Sequence, residues 1–211
     1  SWASVDYFGR WKALQYRARH FYAPVDVVPI RRDGSTQVSV VSDRTEPFDA
    51  QLRTRVIDFD GHVLRDDTRP IHVEKLASTS AGTTTDAGFL GKADPSRTVV
   101  SFDLIEHGNV VAHHLLYFGA ARTLALPNPG IEATLRKDGG SIVVTVRAKR
   151  LARGVWIDFG SLDARLSDNA FDLLPGQSVD IRVSANADID TLRRAMAVES
   201  VVDWTQDKAL H

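Results

Sequence analysis

The sequence contains no cysteine and a single methionine among its 211 residues. The missing cysteine removes disulfide staples, thiol nucleophiles and Cys-ligated zinc from consideration together. No run approaches the ~18 consecutive apolar residues that a membrane-crossing helix needs. An excess of charge is missing as well: 26 Lys and Arg stand against 27 Asp and Glu, a formal net charge of −1. A chain so balanced has no electrostatic pull toward nucleic acid or an anionic membrane, and neither is expected as a partner. No Gly-rich loop of phosphate-binding form is present. The opening Ser1-Trp2-Ala3-Ser4-Val5-Asp6 has neither the basic start nor the apolar core of a secretory signal, and no initiating Met. It reads as the middle of a pattern whose earlier part is expected to be missing, so the compartment stays open.

What is present falls into two periodicities. Over residues 4–22, Trp11, Leu14, Ala18, Phe21 and Tyr22 recur at helical spacing and predict an amphipathic helix. Ser4 is placed to cap it, Asp6 suits the positive end of its dipole, and Pro24 stops it. Tyr7, Phe8 and Tyr16 add to an aromatic load that is heavy for one small helix. Two readings stay open: an ordinary helix on a domain core, or one that packs against something outside this chain.

From Val25 the period changes to two. Ser35–Ser42 alternates, and Gln51–Phe59 and His62–Leu64 meet at Asp60-Gly61, a good hairpin turn. Ile71–Leu76 follows, then a small, polar stretch (77–88) that reads as a loop or weak edge. Thr98–Ile105 and Val110–Phe118 are predicted strands around His107-Gly108-Asn109, and Arg122–Leu126 could extend the last. Pro127-Asn128-Pro129-Gly130 punctuates the chain most strongly and marks a domain boundary. A second series follows: Glu132–Arg136, Ser141–Lys149, Val155–Phe159, Phe171–Leu174 and Ser178–Ser184. Ile189, Leu192 and Met196 predict a short helical turn, and Val198–Trp204 a closing strand. The expected fold is mainly β, with two consecutive immunoglobulin-like β-sandwiches preceded by one N-terminal α-helix. The divisions fall at residues 1–24, 25–126 and 127–211.

Chemistry is sparse. None of the five glutamates (Glu46, Glu74, Glu106, Glu132, Glu199) ends a strand of a strand–helix repeat, where barrel enzymes keep their catalytic groups, and all five read as surface residues. Asp58-Phe59-Asp60-Gly61 resembles part of a calcium loop, but Val56 and Arg69 break the pattern and a hairpin turn explains it better. His113 and His114 are neighbours on a strand, so their side chains point to opposite faces and cannot chelate one ion. No metal site, cofactor or Ser–His–acid arrangement is predicted. Trp156 and Trp204 are candidates for stacking on a sugar ring if exposed, and Trp156 for a core anchor if not.

A likeness to a known family runs along the chain. Ser1-Trp2-Ala3-Ser4-Val5-Asp6-Tyr7-Phe8-Gly9-Arg10-Trp11-Lys12-Ala13-Leu14-Gln15-Tyr16 resembles the segment after the last barrel strand in β-mannosidases of glycoside hydrolase family 2, and 17–25 continues the match. Asn169-Ala170-Phe171-Asp172-Leu173-Leu174-Pro175-Gly176 is similar to their terminal module. Asp60-Gly61-His62-Val63-Leu64 and 110–118 resemble the intervening sandwich. The resemblance implies the end of a (β/α)8 barrel, leaving its last helix here, followed by two accessory sandwiches. The catalytic barrel of the parent chain is then the implied partner, with an oligosaccharide as substrate. The family's acid/base glutamate directly follows an asparagine. Here Asn109, Asn128, Asn169 and Asn186 precede Val, Pro, Ala and Ala, so no catalytic residue is assigned and the chain alone is expected to be inactive. Trp2 is the one substrate-binding candidate, in the parent context only. If the helix once lined a barrel wall, Tyr7, Phe8 and Trp11 should be unusually exposed, packed against a second copy in a homodimer, or disordered.

Overall fold

The computed structural model describes residues 3–206. They form two compact units: residues 21–125, and residues 3–20 together with 126–206. The chain enters through an irregular segment and helix α1 (Ala13–Phe21).

The first sandwich holds seven strands: β1 (Val25–Arg32), β2 (Ser35–Ser42), β3 (Phe48–Asp58), β4 (Val63–Val73), β5 (Ala77–Thr85), β6 (Thr98–Glu106) and β7 (Asn109–Tyr117). They pair antiparallel as β1-β2-β5 and β4-β3-β6-β7. Alternation sends Thr36, Val38, Val40 and Ser42 of β2 inward. Leu52 and Val56 of β3 meet Leu104 and Val100 of β6 in the core. Each such side chain contributes on the order of 1.5–3 kcal/mol by leaving water. Residues 77–85, read as a loop or weak edge, form a full strand because β2 supplies their hydrogen-bond partners. Helix α2 (Asp86–Leu90) follows, where the Thr85 hydroxyl accepts from the Gly88 N–H at 3.0 Å. It brings Phe89 edge-on to Phe102, ring centroids 6.0 Å apart. The exposed edge strand β4 carries Arg65, Asp66, Asp67, Arg69 and Pro70, a composition that blocks edge-to-edge pairing. Arg122–Leu126 adds no strand; Ala121–Thr123 is a 3-10 turn.

The second sandwich contains β8 (Ile131–Asp138), β9 (Ser141–Ala148), β10 (Ala152–Asp158), β11 (Ala164–Leu166), β12 (Phe171–Leu173), β13 (Ser178–Ala185) and β14 (Ala197–Glu199). Its sheets run β11-β13-β9-β8 and β12-β10-β14. Val144, Val146, Val155, Ile157, Ile181 and Leu192 fill the space between them, Leu192 from helix α3 (Ile189–Ala195).

Two local readings of the sequence are corrected. Helix α1 begins at Ala13, not Ser4. Asp6 captures the N–H groups of Phe8 and Arg10 at 2.8 and 2.9 Å, and Gly9 takes φ +80°, so residues 6–10 turn instead of coiling. Ser4 Oγ donates to Gln15 Oε1 at 2.6 Å instead of capping. The predicted closing strand 198–204 stops at Glu199 and becomes helix α4 (Val201–Gln206). Asp203 accepts from the Ser200 N–H and Oγ, at 2.7 and 2.9 Å, and this capping arrangement starts the helix.

Candidate functional site

A cavity of about 400 Å³ opens in the second unit, and three of the four tryptophans line it. Strand alternation explains the first. Val155 and Ile157 of β10 face the core, so Trp156 between them faces out. It is neither bare nor a core anchor, because α1 lies over it. Tyr16, the buried residue of that helix, meets Trp156 edge-on at 6.1 Å, and Trp11 meets Tyr16 edge-on at 5.2 Å. Burial pushes the Tyr16 phenol pKa up, against an opposing hydrogen bond with the Leu166 backbone.

Trp204 reaches the cavity from α4 and is 47% exposed. Its Nε1–H donates to Glu199 Oε2 at 2.6 Å, which holds the indole. Gly154 makes room for this helix: a Cβ there would lie 2.9 Å from Val201 Cγ2, and its φ is +61°. Asp6, Arg10, Lys12 and Asp158 supply the polar lining.

The helix is tied down by three polar contacts with the segment before and within β12. Arg17 pairs with Asp172 at 3.2 Å, Arg19 donates to the Ser167 carbonyl at 2.8 Å, and His20 Nε2 lies 3.1 Å from Asp168 Oδ2. The hydrogen bond with Asp168 raises the His20 pKa. The Asn169–Gly176 run has a physical role here. Asn169 is fully buried; its Oδ1 accepts from the Ile157 and Ala170 N–H groups at 2.9 and 3.0 Å, and its Nδ2 donates to the Ile157 carbonyl at 2.9 Å. Asp172 also accepts from the Gly154 N–H at 2.7 Å.

In the first sandwich the polar residues gather on the outer face of β3, β6 and β7. Asp103, 5% exposed, accepts from Arg55 at 2.7 Å and from Ser101 at 3.3 Å, and sits 2.6 Å from His113 Nδ1. Burial pushes its carboxyl up, but the His113 hydrogen bond and the charges of His113 and Arg55 outweigh it and hold the pKa below the usual range. This is no catalytic triad, since Ser101 Oγ donates to the carboxylate and not to the imidazole. His114 lies opposite Phe102, on the other face from His113.

The remaining sequence candidates find structural places. Asp58 Oδ1 accepts from the N–H groups of Asp60, Gly61 and His62 at 2.8–3.0 Å, which makes the run a turn. Four of the glutamates are exposed and Glu106 is half-buried in an ion pair with Arg44 at 2.9 Å. Trp2 lies outside the described residues. Trp156 and Trp204, nominated separately from the sequence, line the same cavity. Trp11 was read there as a helix-face residue and Tyr16 as part of the aromatic load, and nothing in local spacing connects them to β10. The Ser200-x-x-Asp203 signature was the available sign that Trp204 sits on a helix.

Residues 34–122 match a mannosidase Ig/CBM-like domain, and residues 126–204 match an Ig-fold domain of mannosidases. The β-mannosidase of Bos taurus is 32% identical over 183 residues, covering 81% of this chain and 20% of that protein. Most of the chain is thus made of two Ig-like domains of the β-mannosidase type. β-Mannosidase A of Aspergillus terreus is 28% identical over 199 residues, covering 86% of the chain and 21% of its own length. The chain thus spans about a fifth of the length of the β-mannosidases it matches. Among solved structures, the β-D-mannosidase of Dictyoglomus thermophilum superposes with a TM-score of 0.81 at 20% identity, over 95% of this chain and 24% of that one. The exo-chitosanase of Amycolatopsis orientalis gives 0.64 at 15% identity, over 94% and 28%. These likenesses carry the fold alone.

Proposed function

We propose that this chain is the non-catalytic accessory region of a retaining exo-β-mannosidase, bracing or shaping a catalytic (β/α)8 barrel. Residues 1–24 would be the end of the last barrel helix, with 25–126 and 127–211 as the two accessory sandwiches. The parent would release terminal β-D-mannose by double displacement between two carboxylates, about 5–5.5 Å apart, held on the barrel.

The observation that carries this reading is the state of the entry segment. Tyr7 is 96% and Phe8 75% exposed, yet the turn that presents them is fixed by Asp6 through three bonds to Phe8 and Arg10. Large aromatics presented to water on a fixed turn favour a partner surface. The relatives, about five times longer, carry the name β-mannosidase and supply the chemistry of that partner.

The test is a chimaera in which this chain replaces the corresponding fifth of the Bos taurus enzyme. It should hydrolyse a chromogenic β-mannoside, whereas the chain alone should not; turnover by the pure chain would end the reading. Replacing both aromatics (Tyr7→Ser with Phe8→Ser) should lower the chimaera's Tm by several degrees and leave that of the isolated chain unchanged. A homodimer through the same face is the competing occupant. Light scattering that shows a dimer abolished by the double variant would favour it.

A further inference from the structure

We propose that the tryptophan-lined cavity of the second unit is a binding site for a neutral oligosaccharide of hexopyranose units. The proposal rests on the geometry of this unit and not on the barrel reading. At about 400 Å³ the cavity lies within the ~300–1,000 Å³ span of small-ligand clefts. Its aromatic and polar components match one ligand chemistry. A pyranose ring has a face of C–H groups and a rim of hydroxyls, so it asks for a flat aromatic wall with donors and acceptors at its margin.

The aromatic wall is set before any ligand arrives. Trp11, Tyr16 and Trp156 form a chain of edge-on contacts at 5.2 and 6.1 Å, and Glu199 fixes the Trp204 indole through its N–H. Rings already held in place lose little freedom on binding, which favours affinity. The margin is mixed in sign. Arg10 Nε is paired with Asp6 Oδ2 at 2.8 Å, and the remaining charges, Lys12 and Asp158, balance each other. Asp158 engages the Phe159 N–H with one oxygen, and a carboxylate has capacity for further donors. A phosphate or carboxylate ligand would find no cationic excess there, whereas a polyol finds both a donor and an acceptor.

The cavity adjoins the exposed entry turn, whose Asp6 and Arg10 line its margin. Tyr7 and Phe8 do not line it, although Trp11 does. A surface that merely awaited a protein partner would not need a concave wall with a fixed indole.

The experiment is a titration of the 211-residue chain with β-1,4-mannohexaose and cellohexaose, followed by the ¹H–¹⁵N signals of its four indoles. Adenosine monophosphate serves as the anionic aromatic control. The Trp156 and Trp204 signals should shift saturably with a neutral hexasaccharide, with a Kd between about 10 μM and 1 mM. Trp204→Ala should weaken binding at least tenfold with little change in Tm, and Asp158→Asn should weaken it without removing a ring. The Tyr7→Ser, Phe8→Ser double variant should bind as the parent does. Three results would overturn the proposal: no indole shift at ~10 mM of either hexasaccharide, undiminished binding by Trp204→Ala, or tighter binding of the nucleotide than of both glycans.

Discussion

The two sandwiches have the same strand number and a four-plus-three sheet division, but they meet the surrounding water differently. The first is closed on itself. Its outer sheet face is knitted by Arg55, Asp103, Ser101 and His113, and its edge strand is guarded by charge. The second is completed from outside its own strand series. Residues far away in the chain, Trp11 to His20, cover its three-stranded sheet, and side chains stand in where the strands are short. β11, β12 and β14 have three residues each, too few to satisfy a sheet by ladder bonds alone. Where backbone pairing is thin, the fold recruits side-chain amides, carboxylates and an incoming helix, and the recruited parts enclose a cavity.

This contrast can be broken by substitution. Asn169→Ala should have the largest effect, about 3–4 kcal/mol, because it leaves the Ile157 N–H, the Ile157 carbonyl and the Ala170 N–H buried without a partner. Hydrogen exchange should show lost protection in β10 and β12 only. Equal loss in β3 and β6 would mean that the two units do not stand separately.

Asp103→Asn comes next, at about 3 kcal/mol, confined to the first sandwich. Its pH signature has a definite sign. The folded pKa of Asp103 is lowered, so its stabilisation is complete above the unfolded carboxyl value of about 3.9 and is lost as pH falls toward the folded one. The variant should therefore have a flatter acid limb in a stability-against-pH curve. An unchanged acid limb would remove Asp103 as its source.

Tyr16→Ala should cost about 2 kcal/mol, as a large-to-small change at a buried ring. Its consequence should be local: α1 leaves the second sandwich and Trp156 fluorescence shifts to the red. A blue or unaltered emission would show that the helix does not cover that indole in solution. The smallest effect concerns His20. Its folded pKa is raised by Asp168, so the contact stabilises fully below the unfolded value of about 6.5 and is lost as pH rises through the folded one. For an exposed pair this amounts to about 0.5 kcal/mol or less. The histidine titration followed by NMR should move to lower pH in Asp168→Asn.

The same contrast decides what could be read from the sequence. The sandwiches were legible because their strands alternate: residues such as Val38 and Val40, or Val144 and Val146, declare a buried face without reference to distant chain. The helical spacing of Ile189, Leu192 and Met196 was equally local. The entry segment misled because apolar spacing cannot reveal that Asp6 takes two backbone amides and ends the helical pattern before it starts. Residues 198–204 misled in the opposite sense, with apolar residues suggesting a strand while Ser200 and Asp203 encoded a helix start. The cavity was half legible. Trp156 and Trp204 could be named one at a time, but their meeting with Trp11 depends on which sandwich α1 lies upon, and no local pattern records that.

The buried amide of Asn169 has a chemical consequence. It serves β10 as a detached peptide group, giving one donor and one acceptor to the same residue, Ile157. Deamidation would keep the shape of the side chain and exchange that donor for an oxygen, so that two acceptors would face each other at a buried position. The second sandwich thus latches β10 with an amide, which hydrolysis can change, whereas the first knits its outer face around a carboxylate, which has no amide to lose.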